Sequence, residues 1–184
     1  MNGISAEMIA SNGWEIKSPS QEYLGLSVDV RKKIDNYLTE HPVKLGEIAK
    51  QLGVNVLLST LPRGTSGQIR KENNQFVIRI NRHESRQRQR FTLAHELAHF
   101  LLHRNRIEAE EGDWSENVLL RAPNQPIKIE YEANRLAFDL VIPSALLADA
   151  TAEYTGPMTS EIIENLAQRF GVSTSAMEIK LQIV

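Results

Sequence analysis

The sequence predicts an α+β fold: a small twisted β-sheet packed on one buried helix, a second helix crossing that one, and a helical C-terminal segment. Three observations predict it. Phe91 to His103 reads FTLAHELAHFLLH, apolar at nearly every position apart from its histidines and glutamate, as a helix buried all round requires. Val54 to Asn81 carries short runs rich in Val, Ile and Phe, broken by turn residues. Ile127 to Pro143, IKIEYEANRLAFDLVIP, places Glu130, Ala133, Asn134, Ala137 and Phe138 on one face, and its small residues let another helix approach closely.

Met1 to Leu26 mixes Gly3, Gly13, Pro19 and Gly25 with polar residues around Trp14 and Ile16, so residues 1–26 are expected to form a loosely structured arm that gains order by docking. Residues 27–150 are expected to form the core. Ser27 is a good N-cap for an amphipathic helix carrying Val30, Ile34, Tyr37 and Leu38 and ending before Pro42. Lys44 to Leu52 follows as a second helix closed by Gly53. Strands are expected at Val54 to Leu58, Gln68 to Arg70 and Gln75 to Ile80, the last two joined through Asn73 and Asn74, which tolerate left-handed turn geometry. Ser85 caps the central helix, whose first turns, RQRQR, oppose the helix dipole; Arg86, Arg88 and Arg90 either form a solvated face or grip an acidic partner. Arg104 to Gln125 is polar and long for a loop, which points to a flap over the site, with Trp114 as its anchor. Residues 151–184 are expected to be a helical appendage.

VKLGEIAKQLGVNV and IIENLAQRFGVSTSAMEIKL each resemble part of a helix-turn-helix. The second would present a reading helix from Ser173 to Leu181 with a single basic residue, Lys180, and the whole chain has a formal net charge of -2. Helices that read DNA carry several basic or amide side chains, so these segments are expected to pack within the protein and direct nucleic-acid binding is not expected.

The 184 residues suit one compact domain with a small appendage, and the 41% apolar and 24% charged content is that of an ordinary globular protein. With no cysteine, any metal must be held by His, Asp or Glu. No apolar run approaches the roughly 20 residues of a membrane span, and no basic-then-apolar leader is present at Met1, so the expected location is the cytoplasm.

The chemistry lies in His95, Glu96 and His99, an HExxH string. At about 3.6 residues per turn, the two histidines share a face and can reach one ion. Glu96 sits beside His95, where its carboxylate can take a proton from water without being a ligand. Burying two histidines and a glutamate in an apolar helix is costly unless they have partners, and a metal supplies one. A third ligand is still needed: the candidates are the acids of the 104–125 stretch and Glu130, with Glu132 about 200 degrees round the helix from it.

RQRFTLAHELAHFLLH, then ExEANRLAFDLVIP, then LAQRFGVSTSAMEIKL, in this order, resemble the ImmA/IrrE family of metallopeptidases from about Ser27 to the C-terminus. The resemblance implies a zincin-like core with His95, His99 and Glu130 as metal ligands, Glu96 as the catalytic carboxylate, and Asn134 orienting a ligand from behind. It also implies a protein substrate, either a helix-turn-helix repressor or an antitoxin, in stress-response or toxin-antitoxin settings. LVIP replaces the family's LLMP, and the residue ten after His95 is Asn105, so no third histidine of the metzincin kind is present. His103, Tyr131 and Tyr154 are the candidates for a second donor to the transition state, His103 also being a plain helix-end histidine. The expected ion is Zn²⁺, with Mn²⁺ or Fe²⁺ suiting the same donors. The rival reading is a regulatory binding protein that works through its helix-turn-helix-like segments.

Overall fold

The computed structural model describes residues 7–9, 13–109 and 126–182. Its fold is α+β, with a mixed three-stranded sheet, a separate two-stranded hairpin and eight helices among the described residues. Part of the 1–26 arm is regular. β1 (Glu7–Ile9) pairs antiparallel with β2 (Glu15–Lys17). Ile16 and Trp14 are buried, the Trp14 indole N–H donates to the Gly156 carbonyl (3.2 Å), and the Lys17 carbonyl accepts from the Ser144 hydroxyl (2.7 Å). The two residues read as anchors do dock, and strand pairing follows. α1 (Gln21–Leu24) comes next, capped by Ser20, and then α2 (Val28–Asp35), capped by Ser27 as expected.

α3 (Leu45–Gln51) buries Leu45, Ile48 and Ala49 and leads into β3 (Val54–Ser59), β4 (Gly67–Glu72) and β5 (Gln75–Asn81). Asn73 and Asn74 adopt φ of 47° and 65°, the left-handed pair that a two-residue hairpin requires. The strand order is β3-β5-β4, with β3 parallel and β4 antiparallel to β5, so β4 is an edge strand. One face of the sheet buries Ile69, Ile78 and Ile80.

α4 (Arg86–Ala109) lies under β4 and is capped by Ser85, whose hydroxyl accepts from the Arg88 amide (3.2 Å). His103, at φ -124° and ψ 20°, breaks the helical path, and the chain then continues as helix to Ala109. The expected flap therefore loses its first six residues to helix; its remainder, with Trp114, lies outside the described residues. Of the RQRQR arginines, Arg90 donates to the carbonyls of Val43 (3.1 Å) and Phe170 (3.4 Å), and Arg88 donates to the Ser66 hydroxyl. Two of the three thus serve the fold.

α5 (Pro126–Val141) crosses α4 with Ala133 and Ala137 fully buried, and α6 (Ser144–Thr151) turns the chain back. α7 (Ser160–Phe170) and α8 (Thr174–Lys180) meet at Gly171 (φ 66°), where an added Cβ would lie 2.9 Å from Arg90 Nε. Ile163, Leu166, Phe170, Met177 and Leu181 join the same hydrophobic core as α4 and α5. Lys180, the single basic residue of the expected reading helix, points inward: it is 2% exposed and donates to Asp139 Oδ1 at 2.8 Å. Among the described residues, no helix is long and apolar enough to cross a membrane.

Candidate metal centre

The crossing of α4 and α5 brings His95, His99 and Glu130 together. His95 Nε2 lies 2.9 Å from His99 Nε2 and 3.1 Å from Glu130 Oε2, and His99 Nε2 lies 3.3 Å from Glu130 Oε1. Donors around a tetrahedral Zn²⁺ stand about 3.3 Å apart, given metal–nitrogen bonds near ~2.0–2.1 Å. His95 and His99 are buried, while the Glu130 side chain keeps 27% exposure, so the cluster opens to solvent on the carboxylate side.

Proton positions test whether these residues suit a cation. Burial holds His99 well below the usual histidine range, at about 4, against the opposing pull of Glu130, so its ring is neutral near pH 7. Burial likewise lowers His103, and Glu132 only partly offsets it. Glu132 Oε2, a carboxylate acceptor, takes the His103 Nε2 proton at 3.1 Å. A neutral His103 then has a bare Nδ1, which accepts from His99 Nδ1 at 3.2 Å. On the other ligand, His95 Nδ1 donates to Asn134 Oδ1 at 3.0 Å. His99 Nε2 is thereby left as a lone-pair donor, directed with His95 Nε2 at a shared point.

Glu130 contributes a charge to that point. Burial raises its pKa, but the adjoining His95 and His99 rings outweigh this and hold it at about 2. Its Oε1 is buried without a hydrogen-bond partner. Converging lone pairs and a carboxylate with an orphaned oxygen repel one another unless a cation lies between them. The chemistry of the donor set therefore fits a divalent metal ion.

Glu96 is 3% exposed and lies against the edge strand. A Cβ on Gly67 would stand 3.1 Å from Glu96 Oε1 and 2.3 Å from Thr92 Cγ2, so only glycine lets β4 run this close to the helix. Beside the cluster, a hollow of about 210 Å³ is lined by Arg88, Phe91, Thr92, His95 and Asn134.

The other candidates fall in different places. Asn134 lies behind His95, its Oδ1 accepting from the His95 Nδ1–H. His103 has both ring nitrogens engaged, with His99 and Glu132, in place of a free helix end or a free donor. Tyr131 is 61% exposed. Tyr154 donates its hydroxyl to Asn165 (2.7 Å) and stacks on Trp14, so it belongs to the docking of the arm. Glu132 was missed. The angular argument from Glu130 turns it away from the ion, correctly, but says nothing of a histidine one turn further along α4.

The model of the family described as Peptidase M78, IrrE N-terminal-like domain, matches residues 49–182. The chain belongs to this IrrE N-terminal-like family. Its match spans β3, β4 and β5, all of α4 and α5, and both C-terminal helices. No curated protein matches the sequence. Among solved structures, a Mycobacterium tuberculosis transcriptional regulator aligns at 16% identity with a TM-score of 0.49, covering 79% of this chain and 39% of that one. The IrrE N-terminal-like chain thus spans well under half the length of that protein.

Proposed function

We propose that this protein is a metal-dependent endopeptidase, with Zn²⁺ held by His95, His99 and Glu130, acting on a protein partner such as a helix-turn-helix repressor or antitoxin. The observation that carries the reading is the convergence of two imidazole nitrogens and an ionised carboxylate beside Glu96, which itself lies beneath an edge strand. An ion held by His95, His99 and Glu130 would supply Lewis acidity towards a carbonyl oxygen and a water. Glu96 takes the proton of the attacking water on its carboxylate and returns it to the leaving amine. The edge of β4, unpaired among the described residues, offers backbone N–H and C=O groups on which an extended substrate can lie as an added strand. Asn134 and His103 hold the two imidazoles in the tautomer that leaves Nε2 free of a proton.

The rival, a regulatory binder working through its helix-turn-helix-like segments, finds less support, because Lys180 is buried against Asp139. The test is incubation of the zinc-loaded protein with the helix-turn-helix protein encoded beside it. Glu96→Gln should keep zinc and lose cleavage by about 100-fold or more, the scale of a lost general base. His99→Ala should lose both, and Glu130→Gln should weaken zinc retention with Glu132 intact. Unchanged cleavage by Glu96→Gln would remove that residue from the mechanism.

A further inference from the structure

The hollow beside His95 does not end there. It shares Arg88 and Phe91 with a second hollow of about 280 Å³, whose far wall is built by Phe138 of α5 and by Val172, Ala176 and Ile179 at the C-terminal helices. The groove therefore runs from a metal-facing histidine to the segment that resembles half of a helix-turn-helix. Its far end is apolar, with Phe91 and Phe138 edge to face at 5.1 Å and Ile179 40% exposed. One cation stands at the junction. Arg88 spends Nε and Nη2 on the Ser66 hydroxyl and, among the described residues, pairs with no carboxylate.

Ser66 immediately precedes β4, whose edge passes Glu96 at Gly67. A peptide laid along that edge leaves the cluster across Ser66 and Arg88 and arrives over the apolar hollow. Resting on the peptidase reading above, we propose that this groove is the specificity site of the enzyme: Arg88 receives an acidic side chain of the substrate, and the hollow between Phe91, Phe138, Ala176 and Ile179 receives a large apolar side chain next to it. The C-terminal segment then serves substrate choice, as a wall of the cleft.

Continuity with the ligand histidine and the charge of Arg88 select this occupant. An extended peptide places neighbouring side chains about 3.3 Å apart along the strand axis and on opposite faces, so adjacent residues can meet the arginine and the hollow separately. A guanidinium fixed by a neutral hydroxyl retains donors for a carboxylate, and the pairing is strongest in such a partly enclosed groove.

The experiment uses a mixture of peptides prepared from a cell proteome, digested with the zinc-loaded full chain and sequenced by mass spectrometry, with Glu96→Gln as the blank. The same mixture is passed over immobilised, zinc-loaded Glu96→Gln protein, and the retained peptides are sequenced. Cleavage is expected beside an acidic residue neighbouring Leu, Ile, Met or Phe. Arg88→Glu should remove the acidic preference and favour Lys in its place. Ala176→Phe, filling the hollow from a partly exposed helix face, should cut cleavage at large apolar residues by about tenfold relative to Ala-containing sites, the scale of a pocket mismatch. Cleavage with no such preference, or with a profile unmoved by both variants, overturns this assignment and leaves the peptidase reading standing. No cleavage, with acidic–apolar peptides retained and released by Arg88→Glu, overturns the peptidase reading and keeps the groove as a peptide site. Neither cleavage nor retention overturns both.

Discussion

Helix α5 carries two carboxylates that face inward from opposite ends, and they are satisfied in opposite ways. Asp139, towards its C-terminus, is complete: Oδ1 accepts from Lys180 Nζ at 2.8 Å and Oδ2 from the Ser20 amide at 2.7 Å. Glu130, towards its N-terminus, faces the His95 and His99 Nε2 atoms at 3.1 and 3.3 Å, and its Oε1 has no hydrogen bond. A buried polar group that is fully paired acts as a brace, here tying the N-terminal arm, α5 and α8 together. One that is left short by the protein marks a place where something else must complete it.

The largest effect is expected where the brace is broken. Lys180→Ala leaves the Asp139 carboxylate buried with only a backbone amide, which should cost about 3–5 kcal/mol of folding stability. Urea unfolding measures it, and zinc stoichiometry in the folded fraction should not change. Replacing both partners by apolar residues, Lys180→Met with Asp139→Leu, should recover most of the loss, because the charge left unpaired is gone. A similar loss from the double variant would mean that the pair contributes through packing alone.

The incomplete end should reveal itself through pH. The folded pKa of His99 is about 4 against 6.5 for the free side chain, lowered chiefly by burial. Between these values the unfolded chain binds a proton that the folded chain refuses. Stability of the metal-free protein should therefore fall as pH drops from 6.5 towards 4, by about 3 kcal/mol, and then level off for this group. Glu130, depressed from 4.5 to about 2, adds a further loss below that window. Urea midpoints at pH 7, 5.5 and 4 test the sign. His99→Gln should flatten the upper part of the curve, and a Lys180→Met, Asp139→Leu background should leave it in place.

The difference between the two ends also explains what could be read from the chain alone. The spacing of His95 and His99, the helix face bearing Glu130 and Asn134, the caps at Ser27 and Ser85, and the Asn73–Asn74 turn are local patterns, and the structure contains each. The Lys180–Asp139 pair spans 41 residues and depends on how the C-terminal helices dock, for which no local pattern exists. The strands of the arm are only three residues long and form because Trp14 and Ile16 find a surface elsewhere. Arg104 to Ala109 looked like loop because it is polar, yet it continues as helix after the break at His103, with Lys71 and Arg104 both reaching Glu108.

That same break at His103 supplies the smallest and most discriminating prediction. A straight helix would carry His103 on along the ligand face; the departure to φ -124° accompanies a ring whose Nδ1 meets His99 and whose Nε2 meets Glu132. Glu132 thus fixes the proton of His103, His103 fixes that of His99, and His99 keeps its Nε2 lone pair for the ion. Glu132→Ala removes the acceptor of the first proton, so His103 can donate through Nδ1 instead and drive the His99 proton onto the metal-facing nitrogen. Zinc affinity, measured by chelator competition, should fall about 10- to 100-fold, the usual cost of losing such an outer partner. Glu132→Gln keeps a carbonyl oxygen able to accept from His103, so it should bind zinc within about threefold of the parent. Folding stability of the metal-free protein should change little in either variant, because the Glu132 side chain is 24% exposed and water can replace it. Equal affinity in the Ala and Gln variants would detach the relay from the ion and make Glu132 a second brace, the counterpart of Asp139.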